Sequence, residues 1–333
     1  IYGQWYRELN AFGSHSANNS RLSPGMGVVE ESWFTTNPKP TSDLTPHEME
    51  VLHKWWFTGM VQARTTFKES PEKKQLFRKL ANMPEFQDYE RFFCRSIGGH
   101  GVLIADMHEK VCYKFIAHES EEEADEMFER EFSMLERVSA VDPNHLVQLM
   151  DVERPPLGSI PMQYLDGPTL FDYVREQRVQ NVDFQYMAKQ LVIGLQELRE
   201  AGIWHHRDLN ELNCIVQDGQ IIIVDLGWAT DDPLAQPTGA RRSRSSGPVN
   251  NDLVSLAQTL YYLRAGEPLF GSLDDLDELV RQRHYAYRDS VILEHFLGKI
   301  DILFEGPLRE LMRFALTSNG ADGDYQTARS FLS

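Results

Sequence analysis

The sequence predicts an α+β chain: a small β-rich unit, a helical unit after it, and a mostly helical N-terminal extension before both. Three observations predict it. From about Arg91 the texture turns to short β-branched and aromatic runs, "FFCRSIGGHGVLIAD" and "KVCYKFIA". A long amphipathic segment, "NVDFQYMAKQLVIGLQELREAG", stops at Gly202, and helical patterns predominate towards the end. Directly after that glycine, residues 205–230 read "HHRDLNELNCIVQDGQIIIVDLGWAT", two apolar runs joined by Asp218-Gly219 and flanked by polar side chains.

The elements follow in order. Residues 1–44 are rich in Gly, Ser, Asn and Pro and read as irregular. Asn18-Asn19-Ser20 matches the glycosylation pattern, but with no secretory signal in view it reads as surface loop. A helix should begin with Thr45 as N-cap, Pro46 as first helical residue and Glu48 completing a capping box. Leu52, Trp56 and Met60 would form its apolar face. A second helix is expected after Ser70-Pro71, with Leu76, Phe77, Leu80 and Met83 inward. "KWWFTGMVQ" reads as packing surface rather than membrane-surface helix, because its polar side is not strongly basic.

Beyond Arg91, the two runs quoted above read as two strands around a turn. "EEEADEMFEREFSMLERV" reads as a helix with Met127, Met134, Leu135 and Val138 inward. "HLVQLMDVE" and "GSIPMQYL" read as further strands, and Gly202 as the C-cap of the long helix. The expected order is residues 1–90 as extension, a β-rich unit from about residue 91, and a helical unit after it.

Bulk properties exclude several roles. The 333 residues carry a net charge of −17, which disfavours general binding to nucleic acid or anionic lipid. No apolar run approaches the roughly 20 residues that span a bilayer. The three cysteines, Cys94, Cys112 and Cys214, lack C-x-x-C spacing; neither a disulfide framework nor a zinc site is expected, and a reducing, cytoplasmic setting is.

The chemistry concentrates in residues 205–230. Asp218-Gly219 between "NCIVQ" and "QIIIV" is a hairpin signal, since both positions tolerate positive φ. Antiparallel pairing would bring Asn213, at the start of one strand, beside Asp225, at the end of the other. A carboxylate and an amide oxygen so placed suit Mg²⁺, which prefers oxygen ligands and retains waters or phosphate oxygens. Asp208, in the loop that feeds the hairpin, could accept a proton from an attacking hydroxyl.

"HRDLNELN" followed by "VDLG" resembles the protein-kinase superfamily, whose signatures are H-R-D-x-x-x-x-N and D-F-G, with Leu226 in place of the phenylalanine. The resemblance covers about residues 91–333 and implies a bilobal protein-kinase-like fold that uses ATP and Mg²⁺, with residues 91–165 as small lobe and hinge and 166–333 as large lobe. It implies that Gly98 and Gly101 of "IGGHGVLI" belong to a reduced glycine-rich loop over the phosphates, with Ser96 where a first glycine is usual. Lys114 resembles the strand lysine that holds the α- and β-phosphates, and Glu131 its helical partner, with Glu129 the second choice. "MQYLDGPTLFDYV" resembles the hinge: Met162 would guard the pocket, the backbones of Gln163 and Leu165 would meet adenine, and Asp166 the ribose. Asp208 and Arg207 would belong to the catalytic loop, Asn213 and Asp225 to the metal site. Asp252 in "NDLVSLAQTLYYLRAGEPLF" would tie that loop down.

Two departures bear on the acceptor. Asn210 stands where serine/threonine kinases carry lysine, and no A-P-E lies between Asp225 and Asp252. The arginine that pairs with that glutamate is matched by Tyr325. Residues 238–248, "TGARRSRSSGP", sit where an activation loop belongs. They read as a phosphorylation site at Ser243, Ser245 or Ser246 that would pair with Arg207, as an anion-binding patch, or as a solvated loop. The function expected is an ATP- and Mg²⁺-dependent kinase acting on a protein Ser/Thr hydroxyl. The alternatives are a sugar hydroxyl of a glycan or lipopolysaccharide precursor, and a pseudokinase scaffold. Residues 1–90 are expected to brace the small lobe or to mediate self-association.

Overall fold

A computed structural model describes residues 45–55, 70–88, 91–97, 101–176, 183–233, 252–269, 290–318 and 322–332. The chain forms two compact units, one of residues 1–110 with 117–119, the other of residues 111–116 with 120–333.

In the first unit, helix α1 spans Pro46–Trp55. The expected capping box forms: Glu48 N–H donates to Thr45 Oγ1 at 3.2 Å, and Thr45 N–H donates to Glu48 Oε2 at 2.7 Å. Trp56 and Met60 lie outside the described residues. Helix α2, Pro71–Ala81, starts at the predicted proline and buries Lys73, Phe77, Leu80 and Ala81. Leu76 and Met83, expected inward, are only half-buried. The inward face is centred one residue away, where the aliphatic stem of Lys73 extends it. Strands β1 (Phe92–Ile97) and β2 (Gly101–Asp106) pair antiparallel, with a bulge between Cys94 and Ser96. This corrects the reading of that run as a single strand: β1 ends at Ile97 and a second strand, β2, begins at Gly101. The β-hairpin is clamped where it opens, because Arg91 donates from Nε and Nη2 to the fully buried Asp106 carboxylate at 2.9 and 2.6 Å. Helix α1 packs on β1 and on α2, and α2 packs on β2.

The second unit opens with β3 (Val111–Ile116), which pairs antiparallel with β4 (Ser159–Gln163) so that Lys114 faces Ile160 and Cys112 faces Met162. Between them runs α3, Glu121–Ala140. Ser120 caps α3 by accepting Glu123 N–H, and Glu121, Glu122 and Glu123 complement the positive end of its dipole. Its buried stripe is Met127, Glu131, Met134, Leu135 and Val138, the predicted apolar positions with one carboxylate among them.

"HLVQLMDVE" is not a strand. It is an extended segment that shares its backbone hydrogen bonds between two neighbours: Val147 N–H donates to Ile223 O at 3.0 Å, and Met150 N–H to Pro161 O at 2.9 Å. An apolar run that serves two partners alternately has the composition of a strand without a continuous ladder.

Helix α4 covers Leu170–Glu176 and α5 covers Phe184–Glu200. The chain leaves α5 through Gly202 at φ 75°, with Ile203 N–H reaching back to Leu198 O at 3.1 Å, the predicted glycine stop. Strands β5 (Cys214–Gln217) and β6 (Gln220–Ile223) follow, then α6 (Asp252–Ala265), α7 (Ser290–Leu303), α8 (Gly306–Thr317) and α9 (Asp322–Ser330). Helix α6 is buried from Asp252 to Tyr261, its polar Ser255, Gln258 and Thr259 included, and is packed by α5, α7 and α8. Tyr325 on α9 is fully buried: Arg199 stacks on its ring with the guanidinium carbon at 4.8 Å and donates to its hydroxyl at 3.3 Å. The same guanidinium lies 4.6 Å from the Trp204 ring, so aromatic faces supply its surroundings. No described helix is long and apolar enough to cross a membrane.

Candidate active site

The β5–β6 β-hairpin turns at Asp218-Gly219 with φ of 52° and 81°, and Gln217 pairs with Gln220. That is the two-residue turn the Asp-Gly dipeptide predicts. The strands are shorter than the apolar runs, so Asn213 lies just before β5 and Asp225 just after β6. They are still brought together, because Val224 N–H donates to Asn213 O at 2.9 Å.

The loop ahead of β5 is held from several sides. Asp252, buried at the start of α6, accepts His206 N–H at 2.8 Å and Arg207 N–H at 3.1 Å. His206 donates from Nε2 to Val224 O at 3.1 Å and accepts Asp208 N–H at Nδ1. Arg207 is half-buried, and burial pulls its guanidinium pKa down. Arg207 and Asp225 are non-glycine residues at positive φ, 69° and 66°. Such backbone costs on the order of 1 kcal/mol or more per residue and clusters where surrounding structure imposes it.

Asp208 is flanked by two amides. Asn213 Nδ2 donates to its Oδ2 and to its backbone carbonyl, each at 2.8 Å. Asn210 Nδ2 donates to the same carbonyl at 2.9 Å and to Oδ1 at 3.3 Å. Burial, with the Asp225 carboxylate as a further like charge, pushes the Asp208 carboxyl from 3.8 up to about 6. Folding therefore favours the protonated form. The stability this adds is fully present below pH 3.8 and is lost as pH rises through about 6. Asp208→Asn is expected to raise the Tm of the metal-free protein at pH 8 and to lose most of that gain at pH 4, a comparison calorimetry makes directly.

Lys114 on β3 reaches two carboxylates: its Nζ lies 2.6 Å from Glu131 Oε1 and 2.8 Å from Asp225 Oδ1. The structure thus chooses Glu131 over Glu129 as its helical partner. The Lys114 and Glu131 side chains are 9% and 1% exposed, that of Asp225 33%. Burial opposes the lysine charge, but Asp225 and Glu131 outweigh it and hold Lys114 cationic. One cation cannot neutralise two carboxylates, and burial with the neighbouring Asp225 pushes Glu131 up. A Cβ at Gly227 would stand 3.3 Å from both Asp225 Oδ1 and Glu131 Oε2, so the glycine leaves room for the trio.

The predicted hinge residues lie along and just beyond β4. Met162 is buried, and Gln163 N–H donates to Gln148 O at 2.9 Å. Leu165 is buried; Asp166 is exposed and accepts the Tyr164 hydroxyl at 2.9 Å. Gln217 closes this segment onto the β-hairpin, since its Oε1 accepts Asp166 N–H at 2.8 Å and Gly167 N–H at 3.2 Å. A Cβ on Gly167 would fall 1.8 Å from Val216 O, so only glycine fits there. Gly101 begins β2 in the first unit, whereas Gly98 lies outside the described residues, as do residues 234–251 with Ser243, Ser245 and Ser246.

Sequence reasoning missed Gln217, Gly167 and the contact of Asn210 with Asp208. The Asp-Gly turn was a usable signal for the first, because a residue beside a tight turn is well placed to brace what packs against it. The glycine in "LDGPT" was a signal for the second.

The family model described as Protein kinase domain matches residues 100–289, more than half of the chain. No curated protein matches it. The matched span contains Lys114, Glu131, Asp208, Asn213, Asp225 and Asp252, and the chain belongs to the protein kinase domain family.

Proposed function

We propose that the chain is an ATP- and Mg²⁺-dependent phosphotransferase whose acceptor is a serine or threonine hydroxyl of a protein. The observation that carries this reading is the trio of buried Lys114 and Glu131 with the partly exposed Asp225, at 2.6 and 2.8 Å, beside a loop that presents Asp208 between two amides.

The residues fit a magnesium ion by the chemistry of their donors. Asn213 spends its Nδ2 on Asp208, and no donor among the described residues engages its Oδ1. Asp225 is a partly exposed carboxylate. Both are oxygen donors, as Mg²⁺ requires. When bound, the ion would neutralise charge on the transferring phosphoryl group.

On this reading Lys114 holds the α- and β-phosphates and Glu131 fixes the lysine stem. Asp208 orients the acceptor hydroxyl and takes its proton. Adenine lies against Met162 and meets the Gln163 carbonyl and the Leu165 N–H, because the Gln163 N–H is already committed. Asp166 approaches the ribose. For residues 238–248 the readings are a phosphoserine that pairs with Arg207, an anion-binding patch, or a solvated loop. Residues 91–165 act as small lobe and hinge, 166–333 as large lobe, and 1–90 as a brace or self-association segment in a cytoplasmic protein.

A sugar hydroxyl is the second reading, favoured by the buried amide of Asn210 where a cation would stand. Incubation with γ-labelled ATP, a protein extract and a glycan extract separates the two. Label in protein supports the first, and label in glycan alone overturns it for the second. ATP binding without transfer to either points to a scaffold.

A further inference from the structure

Asn210 is 3% exposed, and its one amide makes contacts at both ends. The nitrogen end donates to Asp208 O at 2.9 Å and to Asp208 Oδ1 at 3.3 Å. The oxygen end accepts Leu212 N–H at 2.9 Å and Asn213 N–H at 3.2 Å. The first pair of contacts aims the carboxylate proposed to act as base. The second fixes the backbone of the residue proposed to hold the metal. A cationic side chain at this position could supply donors but could not accept the two N–H groups.

We infer that Asn210 is a positioning residue that locks the Asp208 carboxylate and the Asn213 backbone into one rigid unit, each end of its amide serving one of them. The inference rests on the functional reading above. It explains how the loop keeps its geometry without the cation found at this position in serine/threonine kinases: two hydrogen-bond donors and two acceptor contacts replace one charge.

Two variants separate the two ends. Asn210→Asp is isosteric and keeps an oxygen for Leu212 and Asn213, but it loses the donor to Asp208. Asn210→Ala loses both ends. The probes are Mn²⁺ with a non-hydrolysable ATP analogue, read by electron paramagnetic resonance, and turnover of γ-labelled ATP. Loss of a group that orients a metal ligand costs about 10–100-fold in metal affinity or activity. Asn210→Ala is therefore expected to weaken Mn²⁺ binding about 10-fold or more and to lower kcat. Asn210→Asp is expected to bind Mn²⁺ at least as tightly as wild type, while kcat falls about 10–100-fold with KM for ATP unchanged.

If the two variants lose metal affinity and turnover in parallel, Asn210 only shapes the loop and the inference is overturned. It is equally overturned if neither variant changes either quantity. Should the wild type bind Mn²⁺ and nucleotide yet transfer nothing, the kinase reading fails, and the Mn²⁺ titrations of the two variants still decide the role of Asn210. No Mn²⁺ binding by the wild type would overturn both.

Discussion

Asp208→Ala is expected to lower kcat for γ-phosphate transfer by about 10²–10⁴-fold, the usual contribution of a positioned general base, with ATP binding retained. The geometry explains why the loss should stay confined to the chemical step. Asn213 and Asn210 each donate to the Asp208 backbone carbonyl, at 2.8 and 2.9 Å, as well as to its carboxylate. Removing the carboxylate leaves those backbone contacts in place, so the loop keeps its path. His206 and Arg207 remain tied to Asp252 through their own N–H groups. Lys114, Glu131 and Asp225 make no hydrogen bond to Asp208, so the nucleotide contacts proposed for them should persist. Equilibrium binding of a fluorescent ATP analogue alongside the rate measurement checks both halves. A variant that turns over at the wild-type rate, or that no longer binds nucleotide, would contradict this assignment of Asp208.

Lys114→Met should have the largest effect on stability. It removes the one cation from a trio that holds two carboxylates, with Glu131 almost wholly buried. Breaking a buried ion pair from one side costs about 3–5 kcal/mol, because the remaining charge has no compensation. The Tm should fall accordingly, and nucleotide affinity should fall with it. Replacing both partners with apolar groups of similar volume is often neutral. Lys114→Met combined with Glu131→Leu should therefore recover much of the lost Tm, since Asp225 keeps its access to solvent, yet recover none of the phosphoryl transfer. That dissociation between stability and activity would show that the pair is retained for chemistry. If the double variant stays as unstable as the single one, the lysine has another structural role. Thermal melts of the three proteins, with ATP titrations, make the comparison.

The parts of the fold legible in the sequence are those written in local chemistry. Thr45-Pro46 with Glu48, Asp218-Gly219, and Gly202 each specify their own backbone within four residues, and each appears where it was predicted. Elements that depend on distant partners were less legible. "HLVQLMDVE" has strand composition, but its hydrogen bonds alternate between Ile223 and Pro161, both far along the chain. The inward face of α2 was misplaced because Lys73 is buried there, a residue that no apolar pattern would choose.

For the candidate site, residue types and spacing named the participants, and the structure supplies their contacts. Glu131 and Glu129 are two residues apart on one helix and therefore point in different directions. The spacing left both open, and the 2.6 Å contact with Lys114 selects Glu131. The bracing side chains were illegible for a different reason. Gln217 ends β5 and Asn210 lies in the loop before it, and only their hydrogen bonds reveal that their amides brace neighbouring backbone.

The central claim is that Asp208, Lys114 and Asp225 form one phosphoryl-transfer site. A single-turnover reaction of the purified chain with γ-labelled ATP and Mg²⁺, run beside Asp225→Ala in the presence of the protein extract, tests it most directly. The wild type should move label from ATP to an alcohol group, and Asp225→Ala should leave it on ATP. Equal transfer by both proteins, or label that stays on ATP in the wild type, would contradict the account.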